Sequence, residues 1–172
     1  MHDSVENLTI IRNKISKLVN EKQLKTNPEI IAVTKTFSLD KILPLIETGH
    51  LHFGENKVNE ALEKWSDIRN KYKNIKLHMI GALQSNKAKK AVQIFDYLHS
   101  LDSEKLASKI SKHEKEFTKK IKIFIQINLA DESQKSGINL KDVRNFHNYC
   151  LKDLSLNVIG LMCLPPIESN ST

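Results

Sequence analysis

Ile30-Ile31-Ala32-Val33-Thr34-Lys35-Thr36-Phe37-Ser38 is the stretch on which the fold turns. Its first five residues are apolar or β-branched and follow an Asn27-Pro28 break, so residues 30–35 read as a buried β-strand that stops at a lysine. The turn that follows contains no glycine, and so has no position where a backbone could closely approach a dinucleotide pyrophosphate. A GxxxxGK[ST] phosphate loop is also missing from the chain. Of the two architectures that right-handed βα units build, the open doubly wound sheet and the closed barrel, this favours the barrel. In a barrel the C-terminal ends of the strands form the floor of the active-site mouth. A primary amine at Lys35 is then placed to form an imine with an aldehyde. Read from the hexapeptide alone, Lys35 is more often simply the place where a strand surfaces into solvent.

Working outward, the same alternation repeats along the chain. Val5, Leu8, Ile11, Ile15, Leu18 and Val19 fall at helical spacing, which predicts an amphipathic helix over 3–24 ahead of the first strand. A helix over 39–47 follows, with Ser38 as its expected cap and Gly49 as its left-handed end, and with a kink or a later helix start expected at Pro44. The next units are strand 51–54 with helix 56–72, strand 77–80 with helix 86–94, and strand 96–100 with helix 103–117. Strand 121–128, helix 140–151 and strand 157–162 complete the pattern. The run Ile121 to Ile127 suits a strand covered on both faces. The expected fold is α/β: a TIM-like (β/α) barrel with an extra N-terminal helix, incomplete, holding about six of the eight strands of a full barrel. No linker or shift of composition divides residues 1–172, so the chain reads as a single domain that ends in a loop at Pro165 to Thr172.

Composition narrows the function classes. A chain of 172 residues with 40% hydrophobic and 27% charged residues is ordinary globular material with room for a core. No apolar stretch reaches the roughly 18 residues of a membrane span, and the N-terminus lacks a signal-peptide pattern, so a cytoplasmic protein without a membrane partner is expected. Cys150 and Cys163 are too few for a disulfide framework or a cysteine-ligated zinc site. The net charge of +7 comes from dispersed lysines, with only Arg12, Arg69 and Arg144 as arginines, which does not suit a nucleic-acid groove.

Four segments sit where strands end. Phe53-Gly54-Glu55-Asn56 combines a turn-forming glycine with an amide that donates and accepts; the plain alternative is a helix cap. His78-Met79-Ile80-Gly81 leads into Ala82-Leu83-Gln84-Ser85-Asn86-Lys87, where Ser85 or Asn86 is expected to cap a helix whose free N–H groups offer an anion site. Gln126-Ile127-Asn128 is followed, after a polar loop, by Lys135-Ser136-Gly137. In Gly160-Leu161-Met162, the glycine suggests close approach to its backbone, and Met162 packs against a flat ring or simply fills the interior.

The strings IAVTK, FGEN, HMIGALQSNK, QIN, KSG and GLM, in this order and spacing, closely resemble the pyridoxal phosphate homeostasis proteins, single-domain relatives of the alanine racemase N-terminal barrel. The likeness runs from the first helix to residue 166. It implies that pyridoxal 5'-phosphate (PLP) is held as a Schiff base on Lys35. Asn56 would hydrogen-bond ring substituents, while His78 and Met162 line the ring face. It further implies a monomer or weak dimer that carries the cofactor and keeps vitamin B6 and amino-acid pools in balance, with PLP-dependent apoenzymes as candidate recipients. No catalytic residue or metal is implied. Family members continue for about another quarter of the chain, in units that hold the cofactor phosphate. The expectation is therefore a truncated barrel lacking the phosphate-binding units, with weakened affinity and open sheet edges. Imine formation needs a neutral amine, so Lys35 is expected to be buried at the mouth, with its pKa lowered.

The alternative in the same chemistry is a PLP-dependent enzyme such as an amino-acid racemase, which needs a second acid or base across the ring. Tyr72, Tyr97 and Tyr149 fall in helices or at a strand start, which favours a carrier. His50-Leu51-His52 places two imidazoles on one strand face, but they precede the strand's C-terminal end, and a catalytic zinc needs a third ligand there. A basic module for RNA or an acidic partner is the weakest reading, as no such motif is present.

Overall fold

In a computed structural model of the protein, residues 3–129 and 136–164 are described. Lys135 of the polar loop and the terminal stretch from Pro165 to Thr172 lie outside the described residues.

Helix α1 (Asp3–Glu21) precedes β1 (Ala32–Val33), α2 (Leu39–Glu47), β2 (His52–Glu55), α3 (Val58–Lys71) and β3 (Lys76–Met79). A short 3-10 turn (Ser85–Lys87) runs into α4 (Ala88–Ile94), followed by β4 (Tyr97–Leu101), α5 (Glu104–Phe117) and β5 (Lys122–Asn128). Then come β6 (Ile138–Asn139), α6 (Val143–Asn148) with a π-helical extension (Tyr149–Asp153), and β7 (Asn157–Cys163). All pairings are parallel: β1 to β5 lie side by side in chain order and β7 joins β5. Among the described residues β1 and β7 do not pair, so the sheet curls without closing.

The anticipated units are all present, with differences at their edges. The first strand is cut to Ala32–Val33 because the chain turns away after Thr34, whose N–H still donates to Gly54 O at 2.9 Å. β6 is an added strand of two residues, too short to leave a periodic signature. Ser38, Ser85 and Asn86 do not cap through their side chains, and α2 runs through Pro44 from Leu39 to Glu47. Gly49 takes φ +83, the left-handed conformation expected after the helix.

The main core lies between the sheet and α2 to α6. Trp65 of α3 is fully buried against Phe53 of β2, with ring centroids 5.0 Å apart, and Leu77, Leu98, Ile123 and Ile125 continue that layer across the sheet. Pleat alternation sends the other residues of each strand inward. There the register runs Val33, Gly54, His78, Tyr97, Lys122 and Asn157 across six strands, so the inner wall is largely polar and aromatic.

Candidate functional site

Lys35 occupies the second position of a tight turn. Phe37 N–H donates to Thr34 O at 3.1 Å, and Thr36 at the third position has φ +67, a left-handed conformation that a β-branched residue rarely adopts. Lys35 is exposed, contrary to the burial expected for a reactive amine, because the turn projects it from the rim. Thr34 faces the helix layer, where its hydroxyl donates to Glu55 Oε1 at 2.7 Å. Lys35 comes next, in the turn beyond the end of β1.

Asn56 comes directly after β2. Its Oδ1 is buried with no hydrogen-bond partner. The backbone around it packs so tightly on Gly81 that a Cβ at residue 81 would sit 2.5 Å from Asn56 O. The glycine after β3 therefore sets where the Asn56 amide lies.

His78 is buried within the wall. Its Nε2 lies 2.9 Å from His52 Nδ1, its Nδ1 lies 2.9 Å from His99 Nε2, and Tyr97 stacks on it at 4.1 Å. The far end of this row of three imidazoles has His52 Nε2 3.9 Å from the Glu29 carboxylate, and at the near end His99 stacks on Phe124 at 4.5 Å. Burial, reinforced by the neighbouring His99, His52 and Lys122 charges, pushes the His78 pKa down to about 3; burial also lowers His99. His78 and His99 are thus neutral at ordinary pH. Phe124 explains Gly160 of β7, since a Cβ there would stand 3.1 Å from the phenyl ring.

Lys35 follows β1, Asn56 follows β2 and His78 lies within β3, three strands that are neighbours in the sheet. Met162 is not among them: it pairs with Gln126 at the other end of the sheet. The His50 ring accepts from Arg12 Nη2 through Nδ1 at 3.2 Å and donates from Nε2 to the His52 carbonyl at 2.8 Å, and the described residues contain no group of three or more potential ligands that could hold a metal. An apolar cleft of about 610 Å³ between β7 and α6, lined by Leu140, Val143 and Leu161, includes none of the four candidate residues.

Reading the sequence missed a buried hub behind the turn. Glu55 is 0% exposed, and its Oε1 accepts from Thr34 Oγ1, from Lys64 Nζ at 2.9 Å and from Trp65 Nε1 at 3.0 Å; Lys64 Nζ also donates to Thr34 O at 2.8 Å. Helical spacing could have put Lys64 and Trp65 on the first half of α3, but nothing local shows that they reach back to Thr34. An accessible amine in the turn after β1 and an orphaned, buried acceptor after the neighbouring β2 suit a carbonyl-bearing ligand that also carries a hydrogen-bond donor.

A family model described as "Alanine racemase, N-terminal domain" matches residues 7–170. The pyridoxal phosphate homeostasis protein of Buchnera aphidicola subsp. Schizaphis graminum is 34% identical over 163 residues, covering 94% of this chain and 71% of that one. Its counterpart in Escherichia coli strain K12 is 32% identical over 173 residues, covering 98% and 73%. Among solved structures, PipY of Synechococcus elongatus PCC7942 with PLP bound superposes with a TM-score of 0.74 at 30% identity, over 90% of this chain and 72% of that one.

Proposed function

Because this chain belongs to the pyridoxal phosphate homeostasis protein family, with the alanine racemase N-terminal domain as its fold, we propose that it binds pyridoxal 5'-phosphate and buffers the intracellular supply of that cofactor. The observation that carries this reading is the Lys35 amine at the corner of the Thr34–Phe37 turn, one strand away from the orphaned Asn56 Oδ1. Lys35 would hold the cofactor through its amine, the bound aldehyde supplying reversible carbonyl–amine chemistry there. Asn56 Oδ1 would accept a hydrogen bond from the ring's donor and orient it. His78 braces the wall between His52 and His99 without adding charge. Met162, on β7 at the opposite end of the sheet, would pack on the ring edge.

This is a carrier reading, without turnover. Tyr97 is the tyrosine on the inner wall, but it lies at the start of β4 with its ring stacked on His78, which does not suit an acid or base acting at the strand ends. Two free thiols suit a reducing compartment such as the cytoplasm. The recipients would be apoenzymes that use the same cofactor.

Mixing the protein with pyridoxal 5'-phosphate tests the assignment. The wild type should gain an absorption band at about 420 nm, characteristic of a protonated imine of this cofactor. Borohydride should bleach the band and leave a pyridoxyl group on Lys35, and Lys35→Ala should show no band. A band that survives the substitution places the anchor elsewhere. Formation of D-alanine from L-alanine would overturn the carrier reading.

A further inference from the structure

A left-handed Thr36 at the third position of a turn is disfavoured, because glycine or asparagine ordinarily takes that place. Such a backbone persists only where its surroundings over-determine it. Here the surroundings are the buried hub. Lys64 Nζ holds Thr34 O, the same carbonyl that closes the turn to Phe37 N, and Thr34 Oγ1 is tied to Glu55 Oε1. Trp65 Nε1 donates to that oxygen as well, fixing the carboxylate to α3. We propose that Glu55, Lys64 and Trp65 are positioning residues, a brace that holds the Thr34–Phe37 turn in its strained form and so sets the direction in which Lys35 presents its amine. This inference rests on Lys35 being the cofactor anchor.

Two features separate the brace from ordinary packing. Three donors converge on Oε1 while Glu55 Oε2 is buried with no partner. A buried charge so unevenly satisfied is a poor way to add stability, and an apolar side chain of similar volume would serve that end at least as well. The residues it clamps, moreover, each precede a candidate site residue: Thr34 comes before Lys35 and Glu55 before Asn56. The clamped side chains meet at α3, where Lys64 and Trp65 hold Glu55 and Glu55 holds Thr34. The brace also engages the second amine of the neighbourhood. Lys64 Nζ is spent on two acceptors and is 14% exposed, which leaves Lys35 as the nucleophile.

The test uses the full chain as wild type, Thr36→Gly, Lys64→Met and Lys64→Arg, and records both the rate at which the band forms with pyridoxal 5'-phosphate and the urea midpoint without it. In Thr36→Gly the left-handed position suits glycine, so the urea midpoint should hold or rise and imine formation should keep the wild-type rate. Lys64→Met should slow imine formation about 5- to 10-fold, and two changes should each recover much of the rate: Lys64→Arg, which keeps donors for both Glu55 and Thr34 O, and Thr36→Gly added to Lys64→Met, where the turn no longer needs a brace; no purely structural role produces that pattern. Should Lys64→Met fail to fold, Lys64→Gln takes its place with the same expected rates. A wild-type rate in the Lys64 variant, or a slow rate that neither change restores, overturns the brace and leaves the cofactor reading intact. A wild type that forms no imine overturns both.

Discussion

In the proposed site, Asn56 would trade stability for binding at a single atom. A buried acceptor without a donor is a cost to the free protein and a ready partner for a ligand. Asn56→Ala should therefore leave the urea midpoint unchanged or slightly raised, while titration of the absorption band shows affinity for pyridoxal 5'-phosphate reduced by about 1 kcal/mol, roughly 5-fold. Unchanged affinity would remove Asn56 from the site. His78 makes a pH prediction. Folded, its pKa is about 3, whereas the free imidazole titrates at 6.5. The unfolded chain thus binds more protons below pH 6.5, so stability falls as the pH drops from there, and the loss levels off only below about 3. By pH 5 this one residue should cost about 2 kcal/mol. His50 and His99, also lowered by burial, act in the same direction. Urea midpoints at pH 7 and pH 5 should differ accordingly, with a smaller difference in His78→Gln. At this scale Lys35 was legible in the sequence because it ends an apolar run. The brace was not: Thr34 and Lys64 stand 30 residues apart, and on its own Lys64 reads as one more helix-surface lysine.

Elements were easier to read than contacts. Strands β2 to β5 and β7 declared themselves through apolar runs between breakers, and all the major helices through their spacing. What escaped were features set by tertiary geometry: the turn that shortens β1, and the two residues of β6, which pair with Ile127 and Asn128. Strands are tied to helices by buried carboxylates. Glu114 of α5 accepts from Ile121 N at 2.8 Å through Oε1 and from Lys120 Nζ at 2.8 Å through Oε2, and Asp96 accepts from Leu77 N at 2.8 Å and from Arg69. The close approach at Gly81 gives the prediction at this scale. In Gly81→Ala the new methyl meets backbone, not a yielding side chain, so the β3 loop or the Asn56 segment must shift. The expected loss is about 2 kcal/mol or more in urea denaturation, together with a weaker absorption band at a fixed cofactor concentration. Gly81→Ala with wild-type values in both would mean that the two segments are not rigidly packed.

For the molecule as a whole, the incomplete barrel expected from the sequence is the architecture found, an open sheet from β1 to β7. Among the described residues β7 pairs on one side only, and its outer face carries Ile159 and Leu161, the latter 55% exposed, beside Leu164. An apolar edge of this kind favours self-association. Sedimentation velocity on the 172-residue chain should show mass rising with concentration, and Leu161→Lys should suppress the rise; a wild type that stays monomeric throughout would show that the edge is not adhesive. The histidine row spans the same wall in the other sense, from the strand starts at His52 to mid-strand at His99. A neutral imidazole has one hydrogen to give and one lone pair to receive, so the middle ring must give on one side and receive on the other, and the row as a whole acquires a polarity. Glu29, an acceptor beside His52 Nε2, favours the arrangement in which every hydrogen points toward the base of the barrel. His99 is then left with its Nδ1 lone pair bare, so an exposed carboxylate at one end of the row biases the tautomer of the ring at the other.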